Sequence, residues 1–185
     1  MEEQKIVNGV NVTQLFGTID LIKEKPDLAK FKFRATNMWV GGTHNRATVK
    51  DFYGAGQEDD SRKPAIFDRD EPPVLCGNNL GPNPVEYLLV ALSGCLTTSL
   101  IAYAAARGIE IKGLRSRYEG DLDLRGFLGL SDVVPVGYQG IRVYFTIDAD
   151  ISDEQKEELI HLAKKYSPVF NTLTRSAPVE VNLDT

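Results

Sequence analysis

The stretch Asn83-Pro84-Val85-Glu86-Tyr87-Leu88-Leu89-Val90-Ala91-Leu92-Ser93-Gly94-Cys95-Leu96-Thr97-Thr98-Ser99-Leu100-Ile101-Ala102-Tyr103-Ala104-Ala105-Ala106-Arg107-Gly108 decides how the chain is read. Asn83 is a favourable N-cap, Pro84 falls at the first helical position and Glu86 at the third, which together imitate a capping box. Arg107 places a cation in the last turn, and Gly108 supplies a residue tolerant of the left-handed C-terminal conformation. The spacing predicts a helix over 84–107, about 36 Å long at ~1.5 Å per residue. No charged residue occurs from Tyr87 to Ala106, a length that suffices to cross a bilayer. Ser93, Gly94, Thr97, Thr98 and Ser99 occupy its middle, however, and it has neither a basic flank nor aromatic belts at both ends. A helix apolar on every side equally suits the buried centre of a soluble domain, and that is the expectation here.

Working outward, Ser152-Asp153-Glu154-Gln155 is a second capping-box signal, and the helix it opens runs through Leu159, Leu162 and Ala163 to Tyr166 before Pro168. Between the helices, Ile109–Glu119 and Ile141–Ile147 read as strands. In the latter, Ile141, Val143, Phe145 and Ile147 alternate with Arg142, Tyr144 and Thr146. Upstream, the run containing Leu15, Ile19 and Leu21, the run from Phe31 to Trp39, and the run through Ala47 and Val49 after Gly41-Gly42 suggest a three-stranded meander. Residues 54–83 read as a long polar loop, and Val179–Val181 as a short closing strand. The order strands, helix, strands, helix, strand is an α+β pattern. The organisation expected is a single domain over 1–185: an N-terminal strand arm to about residue 53, the loop over 54–83, and a helix-containing core over 84–185.

With 185 residues, 42% apolar and 25% charged, the composition is that of a soluble globular protein, not of a disordered or fibrous chain. A net charge of −5 with no basic cluster beyond Lys164-Lys165 argues against a nucleic-acid partner. The Met1-Glu2-Glu3-Gln4-Lys5 start lacks a basic, then apolar, leader pattern. Two cysteines without a leader point to a reducing cytoplasm and free thiols.

Cys95 is the candidate nucleophile, set against the common case of a buried free cysteine that packs as a small hydrophobe. It lies well past the first helical turn, so the helix dipole gives its thiolate little help. A reactive Cys95 needs a cation from elsewhere, chiefly Arg46, with Arg34, Arg117 and Arg142 as alternatives. Glu86 sits nine residues before Cys95, on roughly the opposite helix face and about 13–14 Å away along the axis, so capping accounts for it better than contact with the sulfur. Glu119, Asp121 and Asp123 share a strand face, but without His, Cys or a glycine loop they fall short of a metal pattern. His44 and His161 have no metal-binding partner in sequence. No phosphate-binding or dinucleotide-binding glycine motif is present, so no cofactor is expected.

The run Gly81-Pro82-Asn83-Pro84-Val85-Glu86-Tyr87-Leu88-Leu89-Val90-Ala91-Leu92-Ser93-Gly94-Cys95 resembles the signature of the OsmC/Ohr family of thiol-dependent peroxidases. That signature is a Pro-capped, acid-bearing helix start followed at fixed spacing by small residues and the reactive cysteine. The resemblance extends from about Phe31 to the C-terminus. It implies an OsmC-like α+β fold, with antiparallel sheets around a long buried central helix, in an intertwined homodimer whose sites lie at the dimer interface. It also implies attack of a cysteine thiolate on a hydroperoxide, giving a sulfenic acid that a second cysteine resolves. An arginine would stabilise the thiolate and a glutamate steady that arginine.

Carried onto this sequence, the resemblance makes Cys95 the peroxidatic cysteine, Arg46 its arginine and Glu86 the acid. Three departures stand out. Thr43 follows the two glycines where some members place the arginine; Val85 separates Pro84 from Glu86; and Ser167, before Pro168, occupies the place of the resolving cysteine. The departures leave three readings: a one-cysteine peroxidase served by an external thiol, a peroxidase resolved by Cys76, and a non-catalytic small-ligand binder on the same fold.

Overall fold

The fold was established from a computed structural model, which describes residues 4–175 and 177–183. The leader reading of Met1–Glu3 thus falls outside the described residues. A hairpin of β1 (Ile6–Val7) and β2 (Val10–Asn11) precedes α1 (Val12–Glu24). Seven further strands and helix α2 follow, namely β3 (Lys32–Phe33), β4 (Thr36–Gly41), β5 (His44–Val49), β6 (Phe52–Gly54), β7 (Gln57–Asp59), β8 (Ala65–Arg69), α2 (Pro84–Ala106) and β9 (Gly113–Asp121). The chain closes with α3 (Leu124–Phe127), β10 (Gly140–Asp148), α4 (Asp153–Tyr166) and α5 (Pro168–Thr174). These elements pack as two compact units, one built on Asn11–Leu88 and the other on Ile6–Val10 with Leu89 onward.

In the first unit, β5 lies between β4 and β8 in an antiparallel sheet, and β6 lies between β3 and β7 in another. The expected glycine turn joins β4 to β5 at Gly42, whose φ of +57° suits a residue without a Cβ. Three expectations are corrected here. Residues 12–24 form a helix, not a strand: Leu15, Ile19 and Ile22 recur at i, i+4 and i+7, and the Asn11 side chain caps the start by accepting from Gln14 N at 2.9 Å. The run from Phe31 breaks at Arg34-Ala35 into β3 and β4, and Phe33 and Trp39 are each 71% exposed, so no buried face organises one long strand in this chain. The stretch read as loop from residue 54 contains β7 and β8, whose pairing to β6 and β5 overrides the polar and proline-rich composition around them.

In the second unit, α2 runs to Ala106 and ends as its sequence predicts. Gly108, at φ +72°, donates to Ala105 O at 3.0 Å while Ile109 N donates to Ala104 O at 2.9 Å, a Schellman close. Strands β9 and β10 pair antiparallel along their whole length, Gly113 opposite Asp148 and Asp121 opposite Gly140. Helix α4 carries the expected capping box between Ser152 and Gln155. The expected strand over 109–119 starts four residues later, because Asn8 binds Ile109 O and Ile111 N through its side-chain amide. The expected strand at Val179–Val181 is absent; both valines are almost fully exposed and form no ladder among the described residues.

The core of this unit is one stripe of α2, Leu92, Leu96, Leu100 and Ala104, packed with Leu159 and Ala163 of α4 and with the inward residues of β10, Ile141, Val143, Phe145 and Ile147. Spacing of four residues puts the stripe on one helix face. About 200° round the helix, Val90, Gly94 and Thr98 are exposed, and a Cβ added at Gly94 would meet nothing within 4 Å. Among the described residues this is the one helix long and apolar enough to cross a membrane, yet its leucine face is filled by protein. Leu100 is fully buried, so Leu100→Ala is expected to lower unfolding free energy by about 2–5 kcal/mol in denaturant titrations.

Candidate functional site

Cys95 lies on α2 about 60° from Leu92 on one side and about 60° from Thr98 on the other, at the border between the buried and exposed faces. Its half-buried state follows from that position. The polar atom on its sulfur is Ser167 Oγ, which donates to Cys95 Sγ at 3.0 Å. Ser167 is fully buried at the junction of α4 and α5. The residue marked by its place before Pro168 is therefore brought onto the candidate nucleophile from 72 positions away.

Arg46 and Glu86 belong to the first unit, and each is held there by other partners. Arg46 on β5 stands opposite Asp68 on β8, and donates from Nε to Asp68 Oδ1 at 2.9 Å and from Nη2 to Oδ2 at 3.1 Å. His44 Nε2 meets the same Oδ1 at 2.8 Å, and Tyr87 OH donates to the Asp68 carbonyl at 3.0 Å. Arg46 first, and His44 second, hold the Asp68 carboxyl below the usual carboxylate range. Glu86 takes the capping role: its Oε2 accepts from Asn83 N at 2.7 Å, while Asn83 Oδ1 accepts from Val85 N at 2.9 Å. The other arginines weighed as thiolate partners are also occupied, Arg34 by Asp51 and Glu58, Arg142 by Asp121, and Arg117 by Glu119 and the Tyr144 ring.

Two residues of this region went unmarked in the sequence. Asp68 is not legible as the acid for Arg46 in a stretch whose composition predicts a loop; the register Arg46 opposite Asp68 exists only once β5 and β8 pair. Asp70 is 1% exposed and fixes the approach to α2. It accepts from Thr43 Oγ1 at 2.6 Å and from the backbone N–H groups of Glu71, Asn78 and Leu80 at 2.9, 2.9 and 3.2 Å. Next to it, burial first and the charges of Asp70 and Glu86 second raise the Glu71 carboxyl. Cys76 is exposed in this loop with a left-handed φ of +64°.

An α+β fold of antiparallel strands with a long apolar helix carrying one half-buried cysteine defines the class. Residues 77–182 match the family described as OsmC-like protein, and the chain belongs to that family. Similar solved structures include an OsmC-like protein from Mycoplasma pneumoniae, 19% identical, TM-score 0.60, covering 78% of this chain and 89% of that one. They include an OsmC-like protein of unknown function from Vibrio cholerae, 14% identical, TM-score 0.56, covering 76% and 92%. An organic hydroperoxide resistance protein OsmC from Legionella pneumophila is 15% identical, TM-score 0.53, covering 76% and 89%. At these identities the likeness is one of fold. No curated protein matches the chain in sequence.

The Thr43 hydroxyl first, and then the three backbone donors, hold Asp70 at about 2. A carboxyl lowered on folding adds stability that is complete above its unfolded value near pH ~4 and is lost as pH falls through the folded value. Asp70→Asn is expected to lower the thermal midpoint at pH 7 and to flatten the acid side of the stability profile. An unchanged slope in that range would show that Asp70 does not set it.

Proposed function

We propose that this protein reduces organic hydroperoxides through Cys95 as a one-cysteine enzyme, using an external thiol as reductant. The observation that carries the reading is the Cys95–Ser167 pair: a half-buried sulfur on the core helix of an OsmC-like domain, bonded by a buried hydroxyl where a second thiol would close the cycle. The thiolate attacks the distal peroxide oxygen, an S–O bond forms as O–O breaks, and the leaving alkoxide takes a proton to become the alcohol. Arg46 is the residue assigned to the thiolate in this reading, and its guanidinium is held by Asp68, which His44 also contacts. Glu86 acts at the helix start. The chain works as a cytoplasmic homodimer in this reading.

Support for the homodimer comes from α2 itself. Its buried residues are Leu92, Leu96, Leu100, Ala104 and Ala105, and the exposed Val90-Gly94-Thr98 stripe leaves room for close approach of a second helix. Light scattering at micromolar concentration is expected to give about twice 20.5 kDa. Val90→Lys is expected to shift that value toward the monomer, because Val90 is 57% exposed in the single chain and a lysine there meets no protein.

The chemistry is tested by dosing reduced protein with one equivalent of organic hydroperoxide in the presence of a sulfenic-acid trap, then mapping peptides by mass. Rapid labelling confined to Cys95 is expected. A Cys76–Cys95 disulfide would instead assign resolution to Cys76, and two unchanged thiols would overturn the peroxidase reading.

A further inference from the structure

The backbone of Ser167 is pinned on both sides. Its N–H donates to Ala163 O at 2.9 Å, and its carbonyl accepts from Asn171 N at 3.1 Å and from Asn171 Nδ2 at 2.9 Å. Pro168 follows at the first position of α5 and fixes the turn. The hydroxyl oxygen accepts from Phe170 N at 3.2 Å, which is the ordinary capping bond and uses a lone pair. Capping makes no use of the hydroxyl proton. That proton is directed at Cys95 Sγ, 3.0 Å away, in a position closed to water.

A neutral thiol sulfur is a weak acceptor, whereas an anionic sulfur or a sulfenate oxygen is a strong one. The bond therefore gains strength as the sulfur takes on charge. A serine kept only to cap α5 would need no acceptor at that distance.

We infer that Ser167 is a positioning residue of the Cys95 site: its hydroxyl holds the reacting sulfur and, having no redox chemistry of its own, leaves the oxidised cysteine as a sulfenic acid. This rests on the hydroperoxide reading above. Reduction then proceeds in two balanced steps. A small external thiol attacks the sulfenic sulfur, forming a mixed disulfide and releasing water, and a second thiol displaces Cys95, leaving as the symmetric disulfide.

The test compares wild type with Ser167→Gly and Ser167→Cys. Glycine is tolerated at a helix N-cap, so Ser167→Gly removes the proton while sparing α5, as its thermal midpoint would verify. Its second-order rate of Cys95 oxidation by hydroperoxide is expected to fall roughly tenfold or more, as for loss of a hydrogen bond to a charged group. Ser167→Cys is expected to lose trap labelling and to lose two hydrogens in mass, as a disulfide closes between position 167 and Cys95.

A wild-type oxidation rate in Ser167→Gly overturns the role of the hydroxyl. Labelling of wild type without any disulfide in Ser167→Cys, under hydroperoxide or diamide, overturns the proximity and leaves Cys95 as the peroxidatic residue. A disulfide under diamide, with no labelling of wild type by hydroperoxide, removes the peroxidase reading and the role of Ser167 in it together.

Discussion

Helix α2 carries no charged residue from Tyr87 to Ala106, and the fold of this chain packs one face of it. Burying a leucine is worth about 1.5–3 kcal/mol, so the Leu92-Leu96-Leu100 stripe anchors α2 to α4 and to the β9–β10 pair. The opposite stripe is made of small residues, Gly94 and Thr98 with Val90, which do not demand cover as strongly and do permit a close neighbour. Cys95 stands on the border between the two. Its place is set by helix geometry once the leucine stripe is fixed, and that same geometry leaves it half-buried.

The legible part of the fold is the part governed by local chemistry. Caps at Asn83, Ser152 and Gly108 announce themselves because each satisfies backbone groups within a few residues. Alternation in β10 is visible because one face meets the core. The misread part lies where two periods fit one sequence or where pairing decides. Leu15, Ile19 and Leu21 satisfy a strand, but adding Ile22 and the Asn11 cap makes α1. Ala65–Arg69 is a five-residue run bounded by charges and prolines, and only its ladder to β5 makes it a strand. Val179–Val181 has β-branched residues but no ladder among the described residues, which shows the converse: propensity without pairing leaves these valines exposed.

The candidate site divides in the same way. Cys95 is marked by its motif and Ser167 by the place the family resemblance gives to a resolving cysteine, so both are legible in the sequence. What the sequence could not carry is the distance between them, because they lie 72 positions apart with β9, α3, β10 and α4 between them. Arg46 was nameable too, but its acid was not. Glu86 satisfies the cap in its own helix, so the electrostatic work on Arg46 falls to Asp68, a residue whose role exists only in the register of two strands. For Glu86 the cap is reason enough for an acid at that position.

Ser167 is the contrasting case, because capping leaves one of its atoms without an explanation. Every other polar atom of the residue is explained by the turn between α4 and α5, so the fold alone accounts for a capping side chain there. It does not account for the hydroxyl proton facing sulfur in a space that excludes water. Serine and cysteine have nearly the same shape, so exchanging one for the other leaves the packing of this junction almost unchanged while deciding whether a second sulfur can take part. On the one-thiol reading proposed above, the reductant comes from outside, so whatever path brings a hydroperoxide to Cys95 must also bring a thiol. On that reading, access to Cys95, more than the chemistry of the sulfur alone, governs which molecules complete the cycle.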